Sequence, residues 1–89
     1  MLRHTHRVAP VMPQAAIDNR VEGFVMIELT IATDGSVKDL EVQYSQPPGW
    51  FEAAALAAVS QWRYEPVTRK GEPVAQRTLV RVNFELPET

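Results

Sequence analysis

Residues Gly23–Ser45 read "GFVMIELTIATDGSVKDLEVQYS", and this stretch decides the fold. Val25, Ile27, Leu29 and Ile31 alternate with Phe24, Met26, Glu28 and Thr30. After a break, Leu40, Val42 and Tyr44 alternate with Asp39, Glu41 and Gln43. Successive side chains of a strand point to opposite faces, so a period of two predicts two strands. Asp34-Gly35 lies between them, a residue pair that tight hairpin turns favour. Odd positions of the first strand must share a face with even positions of the second. An even loop length achieves this, and a one-residue slip would put Leu40 and Val42 on the wet side. A two-residue loop pairs Leu29 with Leu40 and Ile27 with Val42. A four-residue loop pairs Ile27 with Leu40 and Val25 with Val42. Both satisfy the pattern.

Downstream, "SQPPG" ends the second strand, because two prolines and a glycine cannot continue a ladder. "WFEAAALAAVSQWR" follows, rich in alanine, the best helix former, and predicts the main helix at about 50–63. Phe51, Ala55, Ala58 and Trp62 step by four, three and four, which puts them on one buried stripe. Glu65 precedes Pro66, which favours extended backbone, so "WRYEP" (62–66) reads as a helix stop that anchors one end of the core. "PVTRKGEPVA" reads as a loop. In "QRTLVRVNFEL", Thr78, Val80, Val82, Phe84 and Leu86 face one way and Arg77, Leu79, Arg81, Asn83 and Glu85 the other, a long last strand.

Upstream, Pro13 suits the first turn of a helix, where its missing N–H costs nothing, and "PQAAIDNR" predicts a short helix at about 13–20. Residues 1–9 show no period and read as a flexible tail, with the domain proper at 10–89. Strand directions complete the picture. The last strand is antiparallel beside the first but would be parallel beside the second, and the first is the most apolar on both faces. The expected fold class is α+β: a two-layer sandwich in which a three-stranded antiparallel sheet of order 2-1-3 carries both helices.

The chain has 89 residues, enough for one thin core. A net charge of −2 offers no basic field to grip nucleic acid. Without cysteine there is no disulfide scaffold or thiolate metal site. His4 and His6 form an H-x-H pair with no third ligand nearby, so no metal site is expected. The serines are Ser36, Ser45 and Ser60, and no Ser/His/Asp set can be assembled from them. Glu22, Glu28, Glu41 and Glu52 are scattered and read as solvated surface. Neither an enzyme nor a cofactor is expected. What remains is the edge made by the last strand, which contains no proline. Free backbone groups there invite a partner strand, and Arg77 and Arg81 would attract one with an acidic residue. The competing reading is an edge merely protected by its charges or covered by the tail.

In order, "P-x-x-P-x-x-A", "VEGFVMIELTIATDGSV", "S-x-P-x-x-x-F-x-x-A-A", "WRYEP", a glycine–proline loop and "VNFEL" cover about Pro10 to Leu86. As an ordered set they resemble the C-terminal domain of the TonB family, energy transducers of Gram-negative bacteria. The resemblance implies a periplasmic domain of an inner-membrane-anchored protein that works with ExbB and ExbD. It implies binding of the TonB box of outer-membrane transporters as an added strand, with force from the proton gradient driving uptake of iron-siderophores, haem or cobalamin. The pairing strand would then be Arg77, Thr78, Leu79, Val80, Arg81, Val82, Asn83, Phe84 and Glu85. An N-terminal contact motif would be Pro10, Met12, Pro13 and Gln14, with Met12 standing where the family usually has tyrosine. A homodimer, strand-exchanged forms included, is a further implied partner. The alternatives are a related domain serving another system, such as a paralogue or a regulatory membrane protein, and a self-pairing oligomerisation module.

Overall fold

A computed structural model describes residues 3–87. The element order is β1 (His4–His6), α1 (Gln14–Asp18), β2 (Gly23–Ile31), β3 (Val37–Gln46), α2 (Glu52–Val59), β4 (Arg63–Tyr64), β5 (Val67–Arg69), β6 (Glu72–Val74) and β7 (Gln76–Phe84). The main sheet has the order β3-β2-β7, antiparallel throughout. This is the 2-1-3 arrangement the sequence predicts. The central strand supplies the core: Val25, Ile27, Leu29 and Ile31 are all fully buried. Phe51, Ala55, Ala58, Val59 and Trp62 meet them from the helix side, and Val82 and Phe84 from β7. Phe51 and Phe84 stack with ring centroids 4.5 Å apart. Small alanines leave room for this close approach of helix to sheet.

The main helix is shorter than the predicted 50–63. It ends at Val59, and the chain leaves through tightened turns in which the N–H of Gln61 bonds the Ala58 carbonyl and that of Trp62 bonds the Val59 carbonyl. The proline rule constrains only Glu65; tertiary pairing ends the helix earlier. Arg63 and Tyr64 are drawn into β4, where the Tyr64 N–H bonds the Gly35 carbonyl at 2.9 Å. The short helix likewise occupies Gln14–Asp18 within the predicted 13–20. Pro13 caps it by accepting the N–H groups of Ala16 and Ile17, and Arg20 turns left-handed (φ 54°) to leave it.

The hairpin solves its register in a way parity did not anticipate. The loop is odd: Ala32 N–H bonds the Ser36 carbonyl, with three residues between them. Two bulges in β3 then change the phase twice: one between Glu28 and Thr30 brings it to the predicted pattern, and one between Met26 and Ile27 reverses it again. Each bulge adds one residue to one strand and flips the faces that follow. The first, with Asp39 at φ 53°, brings Val42 opposite Ile27. The second sets Tyr44 opposite Met26, on the outer face, 54% exposed. The segment read as a loop at 66–75 contains a small hairpin instead, β5 with β6, closed by Lys70 and Gly71, both at positive φ.

Residues 3–8, expected as a tail, run along the "WRYEP" segment. His4 pairs with Tyr64 and His6 with Arg63, and the Glu65 N–H bonds the Arg3 carbonyl. The Trp62 indole N–H donates to the Val8 carbonyl at 2.8 Å. Tyr64 and Trp62 give this strap its reason: their rings need covering, and the His4 ring lies against Tyr64 at 4.3 Å, tilted by 34°, and meets Trp62 edge-on at 4.9 Å.

Candidate functional site

Strand β7 pairs with β2 over nine consecutive residue pairs, from Gly23–Phe84 to Ile31–Gln76, without a register shift. Its other side pairs with no strand among the described residues. The sheet has a second edge, β3, but two bulges and the left-handed Asp39 break the line of backbone groups there. Bulges are a standard way of blunting an edge. The main sheet therefore presents one unbulged, proline-free template and one blunted edge. Of the nine predicted edge residues, Arg77 through Phe84 lie on β7, and Glu85 lies just beyond it. Val82 and Phe84 are buried, Thr78 and Val80 half-buried, and Arg77, Leu79, Arg81, Asn83 and Glu85 exposed, as alternation requires.

The two arginines are not equivalent. Arg77 reaches back across the sheet. Its Nη2 lies 2.7 Å from Glu28 Oε1, and its Nη1 donates at 2.9 Å both to Thr30 Oγ1 and to the Asp39 carbonyl. Glu41 lies at 4.0 Å. The hydrogen bond and charge of Glu28 hold the Arg77 guanidinium above its ordinary pKa. Arg77 thus ties β7, β2 and β3 together on the face away from α2, and its charge is already compensated. Arg81 lies over the Phe24 ring at 3.9 Å and donates through Nε to Asn83 Oδ1 at 2.8 Å. It makes no ion pair among the described residues.

The N-terminal set lies elsewhere. Met12 packs half-buried against the core, the role open to any apolar side chain there. Pro10 and Pro13 are half-buried, and Gln14 donates to Asp18 Oδ1 on the helix surface. No hydrogen bond among the described residues joins this set to β7. The structure brings the edge residues together and leaves the N-terminal set apart from them.

The glutamates read as solvated surface are mostly engaged. Besides Glu28, Glu22 accepts the Leu86 N–H at 2.7 Å. Glu52, at the start of α2, accepts the Gly49 N–H, the Ser45 hydroxyl and the Phe51 N–H, at 2.8, 2.7 and 3.1 Å. These donors lower its pKa to about 2, the Gly49 N–H most of all. The position of Glu52 three residues after the glycine of "PPG" was the available signal. The serine hydroxyls have structural partners too: Ser36 donates to Asp34, Ser45 to Glu52 and Ser60 to the Ala57 carbonyl. Among the described residues no group of three His, Cys, Asp or Glu is placed to hold a metal.

The profile of the Gram-negative bacterial TonB protein C-terminal family matches residues 8–86. The TonB protein of Pseudomonas aeruginosa is 32% identical over 86% of this chain and 22% of its own length. That of Klebsiella pneumoniae is 32% identical over 91% of this chain and 33% of its own length. The chain thus spans between about a fifth and a third of these relatives. The solution structure of the Pseudomonas aeruginosa TonB C-terminal domain superposes with a TM-score of 0.82 at 28% identity, covering 99% of this chain and 89% of that one. The TonB2 protein of Vibrio anguillarum superposes with a TM-score of 0.72 at 35% identity, covering 94% and 80%. With sequence profile, relatives and fold in agreement over nearly the whole chain, this protein belongs to the Gram-negative bacterial TonB C-terminal domain family.

Proposed function

We propose that this domain is the periplasmic receptor-binding portion of a TonB-type energy transducer. It captures the TonB box of outer-membrane transporters as a fourth strand on β7. The observation that carries this reading is the β7 edge: unpaired among the described residues, unbulged and free of proline, where the opposite edge is blunted. An incoming segment gains main-chain hydrogen bonds from the edge, and pockets for alternate side chains supply selectivity. Anchoring in the inner membrane, coupling to ExbB and ExbD, and uptake of iron-siderophores, haem or cobalamin belong to the larger protein that this reading implies. Pro10, Met12, Pro13 and Gln14 form a second contact in that proposal, apart from the edge.

NMR titration with a TonB-box peptide tests it. The backbone amides of Arg77–Glu85 are expected to shift. Shifts confined to residues 10–20 would sink strand addition. Successive backbone N–H groups point to opposite sides of a strand, so of Val80→Pro and Arg81→Pro one removes an outward donor and the other breaks the pairing with β2. The outward variant is expected to keep the fold and weaken the peptide by about tenfold. A self-pairing module would use the same edge. It would show concentration-dependent mass in sedimentation that the peptide does not change.

A further inference from the structure

The geometry around the two β7 arginines points to a directional charge filter on this edge. We propose that Arg81 makes the Asn83 end of β7 selective for an incoming strand with a carboxylate at its outward-facing position, while the Arg77 end is indifferent to charge. The proposal rests on the reading of β7 as a docking edge.

Both arginines project from the face away from α2, four residues apart on one strand. Arg77 has Glu28, Thr30 and the Asp39 carbonyl around its guanidinium, with Glu41 close by. A carboxylate arriving beside it would meet a cation already neutralised by its own sheet, with two glutamates behind it. Arg81 differs in each respect. Its Nε is held by Asn83, which directs the guanidinium along the strand toward that end, and the ring of Phe24 supports its plane. The two terminal amino groups have no hydrogen-bond partner among the described residues. They are the prongs that grip a carboxylate in two parallel bonds. The side chain is already ordered, so less rotamer freedom is lost when it binds. An added strand runs about 5 Å from β7, and its outward side chains stand beside Arg77, Leu79, Arg81 and Asn83 in turn. The position beside Asn83 is level with the open prongs, which lie over Phe24 on the β2 side, so its carboxylate reaches them across Asn83. Its neighbours along the incoming strand face the apolar side, next to Val82 and Phe84. The partner chemistry is therefore one carboxylate toward one end, flanked by apolar side chains.

The test uses short blocked peptides of alternating valine and threonine, each with one aspartate moved through the threonine positions, and their asparagine counterparts. Affinities come from NMR titration, and a spin label on the peptide terminus fixes its direction on β7. Aspartate is expected to bind about three- to tenfold tighter than asparagine at the Asn83 end alone, and the ratio is expected to shrink at high salt. In Arg81→Gln the ratio falls below about twofold, while in Arg77→Gln it stays. The proposal is overturned if the acid preference sits at the Arg77 end, is equal at all positions, or survives in Arg81→Gln. The position scan on the unmodified domain decides this even if a variant fails to fold. If neither peptide series shifts the β7 amides, the docking-edge reading fails and this one with it. Binding of both series without an acid preference overturns the filter alone.

Discussion

Gly35 shows how one residue connects distant parts of the chain. It sits at φ 89°, a region that side-chain-bearing residues avoid, and a Cβ added there would collide with the Tyr64 carbonyl oxygen. The hairpin tip and the "WRYEP" segment touch backbone to backbone at this point, sealed by the Tyr64 N–H bond to the Gly35 carbonyl. Gly35→Ala combines strain with a clash and is expected to lower stability by about 2 kcal/mol or more in urea unfolding. An unchanged midpoint would mean the tip does not bear on Tyr64. The turn role of Gly35 is legible from Asp34-Gly35 alone, but its contact with Tyr64 is not, because no periodicity links residues so far apart in the chain. The burial of Trp62 follows from its place on the helix stripe. The partner of its indole N–H, the Val8 carbonyl, does not. Arg77 and Arg81 look alike as sequence. They part company because Arg77 stands opposite Thr30 on β2, within reach of Glu28, while Arg81 stands next to the position facing Phe24.

At the scale of elements, α2 is held at its start by a side chain and not by its N-cap. Phe51 makes no side-chain capping bond, and the Glu52 carboxylate gathers the Gly49, Ser45 and Phe51 donors. A carboxylate at this end also suits the helix dipole. The folded-state pKa of about 2 lies below the ordinary 4.5. The stabilisation is therefore fully present above pH 4.5 and is lost as pH falls toward 2. Glu52→Gln is expected to cost about 1–2 kcal/mol at neutral pH and to flatten the acid limb of the stability curve in this window. Parallel curves for both proteins from pH 5 to about pH 2 would refute the role. Element identity was readable wherever the period was long: β2, β3, β7 and the buried stripe of α2. Element ends were less so, because they are decided by pairing. The helix stops at Val59, and the chain then turns so that Tyr64 pairs with Gly35. The parity of the hairpin failed as an argument about its loop because the bulge in β3 at Asp39 supplies the missing residue, and Asp39, unlike a glycine, carries little sign of a left-handed backbone.

For the whole molecule, the main sheet ends in one blunted edge and one template, while the β1 strap closes the opposite part of the core over Trp62 and Tyr64. The strap lies largely before residue 8, where the family match begins. It joins the domain through His4 on Tyr64 and Trp62, Arg7 at 4.8 Å over the Trp62 ring, and backbone bonds to Glu65 and Tyr64. Burial and, after it, the nearby Arg7 charge lower the His4 pKa below its ordinary 6.5. The docked strap thus favours neutral imidazole: its contribution is fully present above pH 6.5 and declines as the pH falls through the lowered value. Deleting residues 1–7 is expected to leave the β3-β2-β7 sheet folded, because its buried residues all lie beyond the cut. Stability should fall by about 1–2 kcal/mol, from the lost aromatic contacts and backbone bonds, and the Glu65 amide should exchange faster with solvent. The difference between the chains with and without residues 1–7 should narrow as the pH falls below 6.5, and His4→Ala should remove most of that narrowing. If Glu65 exchanges equally in both chains, the strap does not close over this part of the core in solution, and the proposed docking edge on β7, which shares no hydrogen bond with it, would be unaffected.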